Sequence, residues 1–300
     1  MPPRSLSRPE SRYLHGTTPS EQRRLAALNN LMNSRSLAAL SLRGGERILE
    51  LGSGLGQFAR AMARAAGPRG RVVAVERSPA QLAVARVLAA RTREGTRIDW
   101  RQGDAIHPPI RPAERGRFDV AHARFLLEHL PEPLHVVRAM VRAVRPGGRV
   151  VLEDDDHDVL RLHPEPAGFD RLWRAYIALF ENLGNDPYVG RRLVWLLRRA
   201  GASPRGCTWI FFGSCAGAPD FPALARNLIG VIRPVVPAMV KTNLIGSAPA
   251  SAALRALRAW ARRPDAAIWY SICWAEGIRP DRSGRTRNGR RGSTRTGRRD

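Results

Sequence analysis

The run from Glu46 to Phe58, ERILELGSGLGQF, constrains this 300-residue chain more than any other stretch. A short apolar segment is followed by glycines at alternate positions, Gly52, Gly54 and Gly56. Glycine permits a sharp turn and the close approach of a ligand to the backbone. We therefore predict a buried strand, a tight turn and a helix over about 57–66, whose first N–H groups are free to bind whatever lies in the turn.

Two details separate this turn from a dinucleotide-binding turn. The dinucleotide fingerprint reads G-x-G-x-x-G, and Gln57 occupies the position of its third glycine. Glu50 stands two residues before the first glycine, where a carboxylate meets a cationic or amino-bearing ligand better than a pyrophosphate. The turn is therefore poorly suited to a polyphosphate.

Segment 49–56, LELGSGLG, resembles the first motif of class I S-adenosylmethionine-dependent methyltransferases. Four further segments continue the resemblance in the order and spacing of that family: 71–76, 101–105, 118–130 and 144–153. Together they cover about Glu46 to Glu153. The chain therefore resembles the bacterial members of this class that methylate small molecules.

The resemblance implies a cofactor, S-adenosyl-L-methionine, and roles for individual residues. Glu76, at the end of the second strand, corresponds to the acidic residue that holds the ribose hydroxyls, and Asp104 to the residue that meets the adenine amino group. The candidate cofactor-binding residues are Glu50, Gly52, Ser53, Gly54, Gly56, Glu76, Arg77, Gln81, Asp104, Ala105 and His122.

The alternation of strands and helices predicts an α/β fold with a parallel sheet and right-handed crossovers. We expect helices over 79–90, with Ser78 as cap, and over 131–144, 169–183 and 189–200. The resemblance implies a Rossmann-like, mainly parallel sheet of seven strands, with helices on both faces. Its last strand is antiparallel, and segments 209–212 and 267–274 form the final pair.

The expected organisation has three parts. Residues 1–42 form a helical N-terminal segment, with Ser20 as a helix cap and with Tyr13, Gln22 and Arg24 as possible cofactor contacts. Residues 43–278 form the methyltransferase domain, which includes a helical insert at about 213–264. This insert is either a lid over the active site or a dimerisation element, so a homodimer is possible. Residues 279–300 form an Arg-rich tail without apolar periodicity, which we predict to be disordered.

Catalysis requires a base if the acceptor is a hydroxyl or a protonated amine. Histidine, with an ordinary pKa of about 6.5, suits that task. His122 after the fourth strand and His157 after the fifth are the catalytic candidates, with ordinary hydrogen-bonded histidines as the alternative; His129 is interpreted as structural. The carboxylates of 154–156 raise the question of a metal, but we predict none, because the fourth strand ends without an acidic residue.

The formal charge of +24 permits binding to nucleic acid, but nearly all of it is arginine in a chain rich in Ala, Gly and Pro. A GC-rich genome is sufficient to explain much of that composition. Three cysteines without C-x-x-C spacing predict buried free thiols. The sequence lacks a continuous run of about 18 apolar residues and an apolar leader, which predicts a cytoplasmic protein without membrane contact.

The chemical class of the methyl acceptor can be narrowed only through motifs that the sequence lacks. The fourth strand is not followed by the Asn/Asp-Pro-Pro-aromatic motif of amino-directed nucleic-acid methyltransferases, and there is no Pro-Cys nucleophile. A small organic acceptor is therefore expected, and the apolar insert with Trp173, Trp195 and Trp209 suits an aromatic or lipid-like molecule. Two alternatives stay open: a nucleic-acid methyltransferase that uses the Arg-rich surface, and a non-catalytic S-adenosylmethionine-binding protein.

Overall fold

The structure, a computed structural model, describes residues 32–281. Residues 32–40 are helical (α1) and lead into a seven-stranded sheet. The strands of this sheet are β1 (Arg47–Leu51), β2 (Arg71–Glu76), β3 (Ile98–Gln102), β4 (Phe118–Arg124), β5 (Val144–Asp154), β7 (Ser203–Phe211) and β10 (Ser271–Ile278). Their order across the sheet is β3-β2-β1-β4-β5-β10-β7.

The pairing directions confirm the predicted mainly parallel sheet. Strands β1 to β5 pair in parallel, whereas β10 pairs antiparallel with both β5 and β7. The last strand therefore inserts between β5 and β7 and leaves β7 at the edge. Because the first five strands run the same way, their carboxyl ends meet along one edge of the sheet.

The helices that follow or cover these strands are α2 (Gln57–Ala65), α3 (Pro79–Ala90), α4 (Pro133–Ala143), α5 (Phe169–Asn182), α6 (Leu193–Arg199), α7 (Phe221–Ile232), α8 (Val236–Lys241) and α9 (Ser247–Trp260). The predicted start of α3 is confirmed, since Ser78 Oγ accepts a hydrogen bond from the Gln81 N–H at 3.3 Å. The predicted helix at 189–200 begins instead as a 3₁₀ turn over Val189–Arg192.

Strand residues alternate between two apolar cores. Ile48 and Val120 face a core shared with α2, α5 and the insert helices, whereas Leu49 and Leu152 face one shared with α4 and α6. This alternation decides which side chains reach a site at the strand ends and which are buried below it.

A second, three-stranded sheet was not predicted. It consists of β6 (Arg161–His163), β9 (Ala267–Trp269) and β8 (Ser214–Cys215), in that order. The prediction of one continuous strand over 267–274 was wrong, because the chain changes sheets at Tyr270, whose carbonyl accepts a hydrogen bond from Phe212 N–H at 2.7 Å. In chain order, helices α7, α8 and α9 follow β8 and precede β9, and they confirm the predicted helical character of the insert.

Several residues named in the sequence-based predictions lie outside the described residues. Ser20, Tyr13, Gln22 and Arg24 lie outside them, as does the tail beyond residue 281. Arg279, where the disordered tail was predicted to begin, is held in place: its N–H donates to Gly148 O at 2.9 Å and its guanidinium donates to Val144 O at 2.6 Å.

The expectation of buried thiols holds for one cysteine of three. Cys273 is buried, whereas Cys207 and Cys215 are exposed. Cys207 lies on β7 and Cys215 on β8. Both strands lie at the edge of their sheets, where side chains have fewer neighbours.

Candidate functional site

A cavity of about 590 Å³ opens at the carboxyl ends of the parallel strands. One half is lined by the glycine turn and by the ends of β2 and β3. The other half is lined by residues that follow β4 and β5, by α5 and by α7. The first half contains nine of the predicted cofactor-binding residues: Glu50, Gly52, Ser53, Gly54, Glu76, Arg77, Gln81, Asp104 and Ala105.

The glycine turn packs against the end of β2. Gly52 and Gly54 both have positive φ, 74° and 53°, a backbone conformation that glycine adopts without strain. Gly54 N–H donates to one carboxylate oxygen of Glu76, and Ser78 N–H donates to the other, each at 2.8 Å. Glu76 is therefore fixed at the cavity wall by two backbone donors, with oxygen lone pairs left for a ligand.

Gly56 serves packing and is absent from the cavity wall formed by the described residues. Its φ is 67°, and a Cβ at this position would lie 2.1 Å from the Trp100 ring. A side chain at position 56 would thus collide with β3. The third glycine allows α2 to start close to the sheet.

Glu50 is buried and lines the cavity. Its Oε2 and the Ser53 hydroxyl accept or donate no hydrogen bond within the described part of the chain. Burial raises the Glu50 pKa to about 8, opposed chiefly by the charge of Arg124. A ligand that brings an ammonium or another cation to the unused oxygen would favour the ionised carboxylate, so the site suits a ligand of this kind.

The loop after β3 is fixed by an ion pair. Arg101 donates to both carboxylate oxygens of Glu114, at 2.7 and 2.8 Å, and to Pro109 O at 2.7 Å. Asp104 Oδ1 accepts a hydrogen bond from Ile106 N–H at 2.7 Å. These contacts hold the loop that carries Asp104 and Ala105 beside the glycine turn.

His122 does not lie where the sequence predicted. Strand β4 continues to Arg124, so His122 is a fully buried strand residue that is not among the described residues lining the cavity. Its Nε2 lies 3.1 Å from Glu153 Oε1, and Ser36 donates to the other oxygen of Glu153 at 2.6 Å. Burial lowers the His122 pKa. The residue is a packed member of a polar cluster, and the prediction of a catalytic or cofactor-contacting His122 is corrected.

Arg124 and Phe125 line the cavity, although sequence reasoning did not select them. The Arg124 guanidinium lies 4.2 Å from the centroid of the Phe58 ring and donates to Ser36 Oγ at 3.1 Å. Phe125 has a φ of 51°, in the left-handed region that non-glycine residues rarely adopt. The only sequence signal for either residue was its place at the end of a buried strand.

His157 lies in the second half of the cavity, inside a cluster of acids and rings. Its Nε2 is 3.3 Å from Glu128 Oε2 and 3.6 Å from Asp155 Oδ2. The centroid of its ring lies 5.5 Å from that of Trp173 and 5.0 Å from that of Phe180. Burial alone would lower the His157 pKa, but hydrogen bonds and charges of Asp155 and Glu128 outweigh it and raise the pKa to about 10.

The raised pKa changes the role predicted for His157. An imidazole with a pKa of about 10 carries its proton at pH 7 and accepts no second one. His157 is therefore an imidazolium held between carboxylates and aromatic rings, and it does not fit the predicted part of a base at neutral pH.

The three carboxylates of 154–156 have separate surroundings. Asp154 is buried and accepts hydrogen bonds from the N–H groups of Leu126 and Leu127, at 3.2 and 2.8 Å. Asp156 forms a two-fold ion pair with Arg191, at 2.6 and 2.7 Å. Asp155 alone lines the cavity. The run therefore does not act as one acidic patch.

Asp155, Glu128 and His157 offer ligand atoms within 4.8 Å of one another, which is the geometry and chemistry of a cation site. The Nε2 atom of the protonated His157 ring faces both carboxylates as a donor. The cluster is an internal ion triad, and the expectation of no metal stays a prediction.

The wall of the second half is mainly apolar. Its residues from the β5–α5 region, α7 and the β9–β10 region are Leu160, Trp173, Tyr176, Phe180, Leu224, Leu228, Val231, Ile268 and Ile272. Asn227 and Tyr270 add polar groups that sequence reasoning missed, because only the tertiary fold turns them inward. Of the tryptophans considered from the sequence, Trp173 lines the cavity, whereas Trp195 and Trp209 are half-exposed.

Comparisons with known proteins agree with this geometry. The family described as "Methyltransferase domain" matches residues 21–204. The chain is 33% identical over 156 residues to the 27-O-demethylrifamycin SV methyltransferase of Amycolatopsis mediterranei, which covers 52% of this chain and 54% of that protein. It is 32% identical over 127 residues to the 2-phytyl-1,4-naphtoquinone methyltransferase of Synechococcus elongatus, which covers 42% of this chain and 53% of that protein.

The chain thus spans about half the length of these relatives. A solved structure shares its fold: the geranyl diphosphate C-methyltransferase from Streptomyces coelicolor A3(2), in complex with Mg²⁺, geranyl diphosphate and S-adenosyl-L-homocysteine. The TM-score is 0.52 at 14% identity, over 90% of this chain and 89% of that one.

Proposed function

Because the chain belongs to the methyltransferase domain family and has its class I fold, we propose that it transfers a methyl group from S-adenosyl-L-methionine to a small, mainly apolar acceptor. The observation that carries this proposal is a single cavity with two chemically different halves. A polar half lies at the ends of β1 to β3, and an apolar half lies under α5 and α7. A group transfer needs two ligands side by side, with water kept out.

The polar half fits the proposed cofactor. Glu50 and Ser53 bring buried polar atoms without partners among the described residues, which suit an amino-acid end with its ammonium. Glu76 suits the ribose hydroxyls, and Asp104 with Ala105 suits the adenine. When bound, the cofactor supplies an electrophilic methyl group; the protein's own task is to orient the acceptor and to handle its proton.

The apolar half suits an acceptor with a flat or aliphatic body. Aromatic and branched side chains form most of its wall, and a few polar groups, such as Asn227 and Tyr270, can fix the orientation of the acceptor. The two relatives described above are named for a rifamycin and for a phytyl naphthoquinone. We infer an acceptor of similar apolar character; the atom that receives the methyl group, oxygen, nitrogen or carbon, is left open.

For an acceptor that must lose a proton, Asp155 is the group best placed to take it. The side chain lines the cavity, its buried Oδ1 has no hydrogen-bond partner at ordinary distance within residues 32–281, and its carboxylate interacts with the Tyr270 hydroxyl. Burial raises the Asp155 pKa, opposed first by its hydrogen bond with His157. The proton would pass from the acceptor to Asp155 Oδ1, while the His157 imidazolium holds the other oxygen in place.

Calorimetric titration with S-adenosylmethionine, S-adenosylhomocysteine and NAD tests the cofactor assignment. We expect the two adenosyl compounds to bind and NAD to give no heat. Glu76→Ala should weaken their binding about tenfold or more, because it removes charge-assisted hydrogen bonds. Glu46→Ala is the matched control, since this carboxylate also accepts backbone N–H groups, but at the opposite end of β1.

Turnover separates an enzyme from a protein that only binds the cofactor. Formation of S-adenosylhomocysteine should rise when a panel of phenols, hydroquinones and apolar amines is added. Asp155→Asn should retain cofactor binding and lose turnover of hydroxyl acceptors. Strong binding without turnover of any panel member would favour the non-catalytic alternative.

A further inference from the structure

Three aromatic side chains stand half-exposed on one part of the surface. Trp209 and Phe211 on β7 are 54% and 44% exposed, and Trp269 on β9 is 58% exposed. Phe211 and Trp269 lie 5.9 Å apart between ring centroids, and Trp209 is on the same face of β7 as Phe211. We call these three residues the aromatic patch. Large exposed rings are costly in water and mark surfaces that meet an apolar partner.

The aromatic patch lies on the outer side of a cavity wall. Phe212, Ile268 and Tyr270 line the cavity, and their chain neighbours Phe211 and Trp269 point to the outside. One layer of backbone therefore separates the proposed acceptor site from the aromatic patch.

The next element of the same wall is an apolar helical segment whose exposed positions carry mainly cations and prolines. The continuous helical segment of α7 and α8, Phe221–Lys241, has a mean hydropathy of 1.4 in its most apolar part, of which only 33% is buried. Its large apolar side chains are buried or partly buried, and Arg226 and Arg233 interrupt the apolar run in the sequence. Its inner residues Leu224 and Leu228 line the cavity.

Cations lie on the α7–α8 segment and beside the aromatic patch. Arg226, Arg233 and Lys241 are exposed along α7 and α8. Arg161 lies opposite Trp269 in the second sheet, and Arg35 donates to Phe211 O at 2.9 Å. The whole chain carries +24. Tryptophan and phenylalanine beside arginine suit the interface of an anionic bilayer, where rings enter the headgroup layer and cations meet lipid phosphates.

We propose that the aromatic patch and the α7–α8 segment contact the surface of an anionic lipid bilayer. The acceptor then reaches the cavity from that bilayer, a step that rests on the proposed function. This contact is peripheral, and it revises the sequence-based expectation of a protein without membrane contact. It also accounts for the exposed aromatic rings on the outer side of the cavity wall, because a surface that meets only water gains no stability from them.

Vesicle binding tests this proposal without knowledge of the acceptor. The 300-residue chain is titrated with vesicles of phosphatidylcholine and with vesicles that also contain phosphatidylglycerol, and bound protein is measured by co-sedimentation. We expect binding to the anionic vesicles. The double variant Trp209→Ser/Trp269→Ser should bind them about tenfold more weakly or worse, because burial of each ring is worth that much in affinity.

Trp195→Ser is the matched control. Trp195 is 49% exposed on α6, outside the aromatic patch, with Arg192 and Arg199 over its ring. Its loss should leave vesicle affinity unchanged. Because the Arg-rich tail is present in every variant, its electrostatic contribution cancels in this comparison.

Several outcomes would overturn the proposal. One is absence of vesicle binding by the unaltered protein, and another is equal binding by the double variant and the Trp195→Ser control. A third is a stable dimer in light scattering that the double variant abolishes without any vesicle binding, which would assign the aromatic patch to a second copy of the chain. Titration of each variant with S-adenosylhomocysteine reports on the cofactor site separately, so a failure of the proposed function remains distinguishable.

Discussion

At the scale of single residues, burial of the Glu50 side chain lowers the stability of the folded protein and leaves an oxygen that can bind a ligand. Its carboxylate is 4% exposed and one oxygen has no partner within the described residues. Because burial raises its pKa from 4.5 to about 8, the folded protein binds more protons than the unfolded chain between these pH values. Stability therefore falls as pH rises through this window.

Glu50→Gln should remove that pH dependence. We expect the variant to gain free energy of unfolding relative to the unaltered protein as pH rises from 4.5 to about 8, on the order of 3 kcal/mol at neutral pH. It should also lose most affinity for S-adenosylmethionine. Urea unfolding across this range, with Glu46→Gln as control, measures the first effect. A variant less stable than its parent at the upper end would contradict the assigned burial cost.

His157 gives a second prediction at this scale. Its pKa of about 10 means that both ring nitrogens carry protons at pH 7. Nitrogen-detected NMR should show an imidazolium that loses its proton only near pH 10, and the stabilisation it provides should be complete below 6.5 and lost as pH rises through about 10. In Asp155→Asn the pKa should fall. A neutral ring at pH 7 in the unaltered protein would return His157 to the role of a base.

At the scale of elements, the connection from β3 to β4 depends on a buried ion pair. Glu114 accepts two hydrogen bonds from Arg101, and its side chain is 11% exposed. The hydrogen bond from Arg101 outweighs burial and lowers the Glu114 pKa to about 2. The pair should therefore stabilise the loop that presents Asp104 to the cavity.

Glu114→Gln should lower the free energy of unfolding by about 3 kcal/mol at neutral pH, because it leaves the Arg101 charge poorly compensated. The loss should be complete above 4.5 and shrink as pH falls through about 2, below which Glu114 is protonated in both the folded and the unfolded state. Asp99→Asn is the control. Its carboxylate also meets Arg101 but is 40% exposed, so it should cost less than about 1 kcal/mol. Equal losses in denaturant melts would argue against a special role for the buried pair.

At the scale of the whole molecule, the net charge of +24 produces repulsion between like charges in the folded protein. Like charges repel one another more strongly in the folded state, because folding brings them closer together. Raising the ionic strength to about 0.15 M should therefore raise the melting temperature by a few degrees, since salt screens repulsion beyond roughly 8 Å. NaCl and KCl should act alike in thermal melts. A melting temperature that falls with either salt would mean that attractive ion pairs dominate.

Much of the fold was predictable because its signals are local. The turn after β1 requires glycines at alternate positions, and the start of α3 requires Ser78 and Pro79; each signal lies within a few residues of its effect. The switch of the chain between sheets at Tyr270 has no such signal. Residues 267–274 are apolar and strand-forming throughout, so only pairing with β6 and β8 on one side, and with β5 and β7 on the other, divides them.

The sequence by itself determined the parallel sheet, the glycine turn and the strand-end positions of Glu50, Glu76 and Asp104, because strand direction and chain order place these residues along one edge. Only the tertiary structure decided which polar groups act there. His122 is paired with Glu153, and Glu153 also accepts a hydrogen bond from Ser36. That second hydrogen bond joins residues 117 positions apart in the chain. His157 keeps its proton through Glu128 and Asp155. Burial and charge depend on neighbours in space, and a linear pattern does not contain those neighbours.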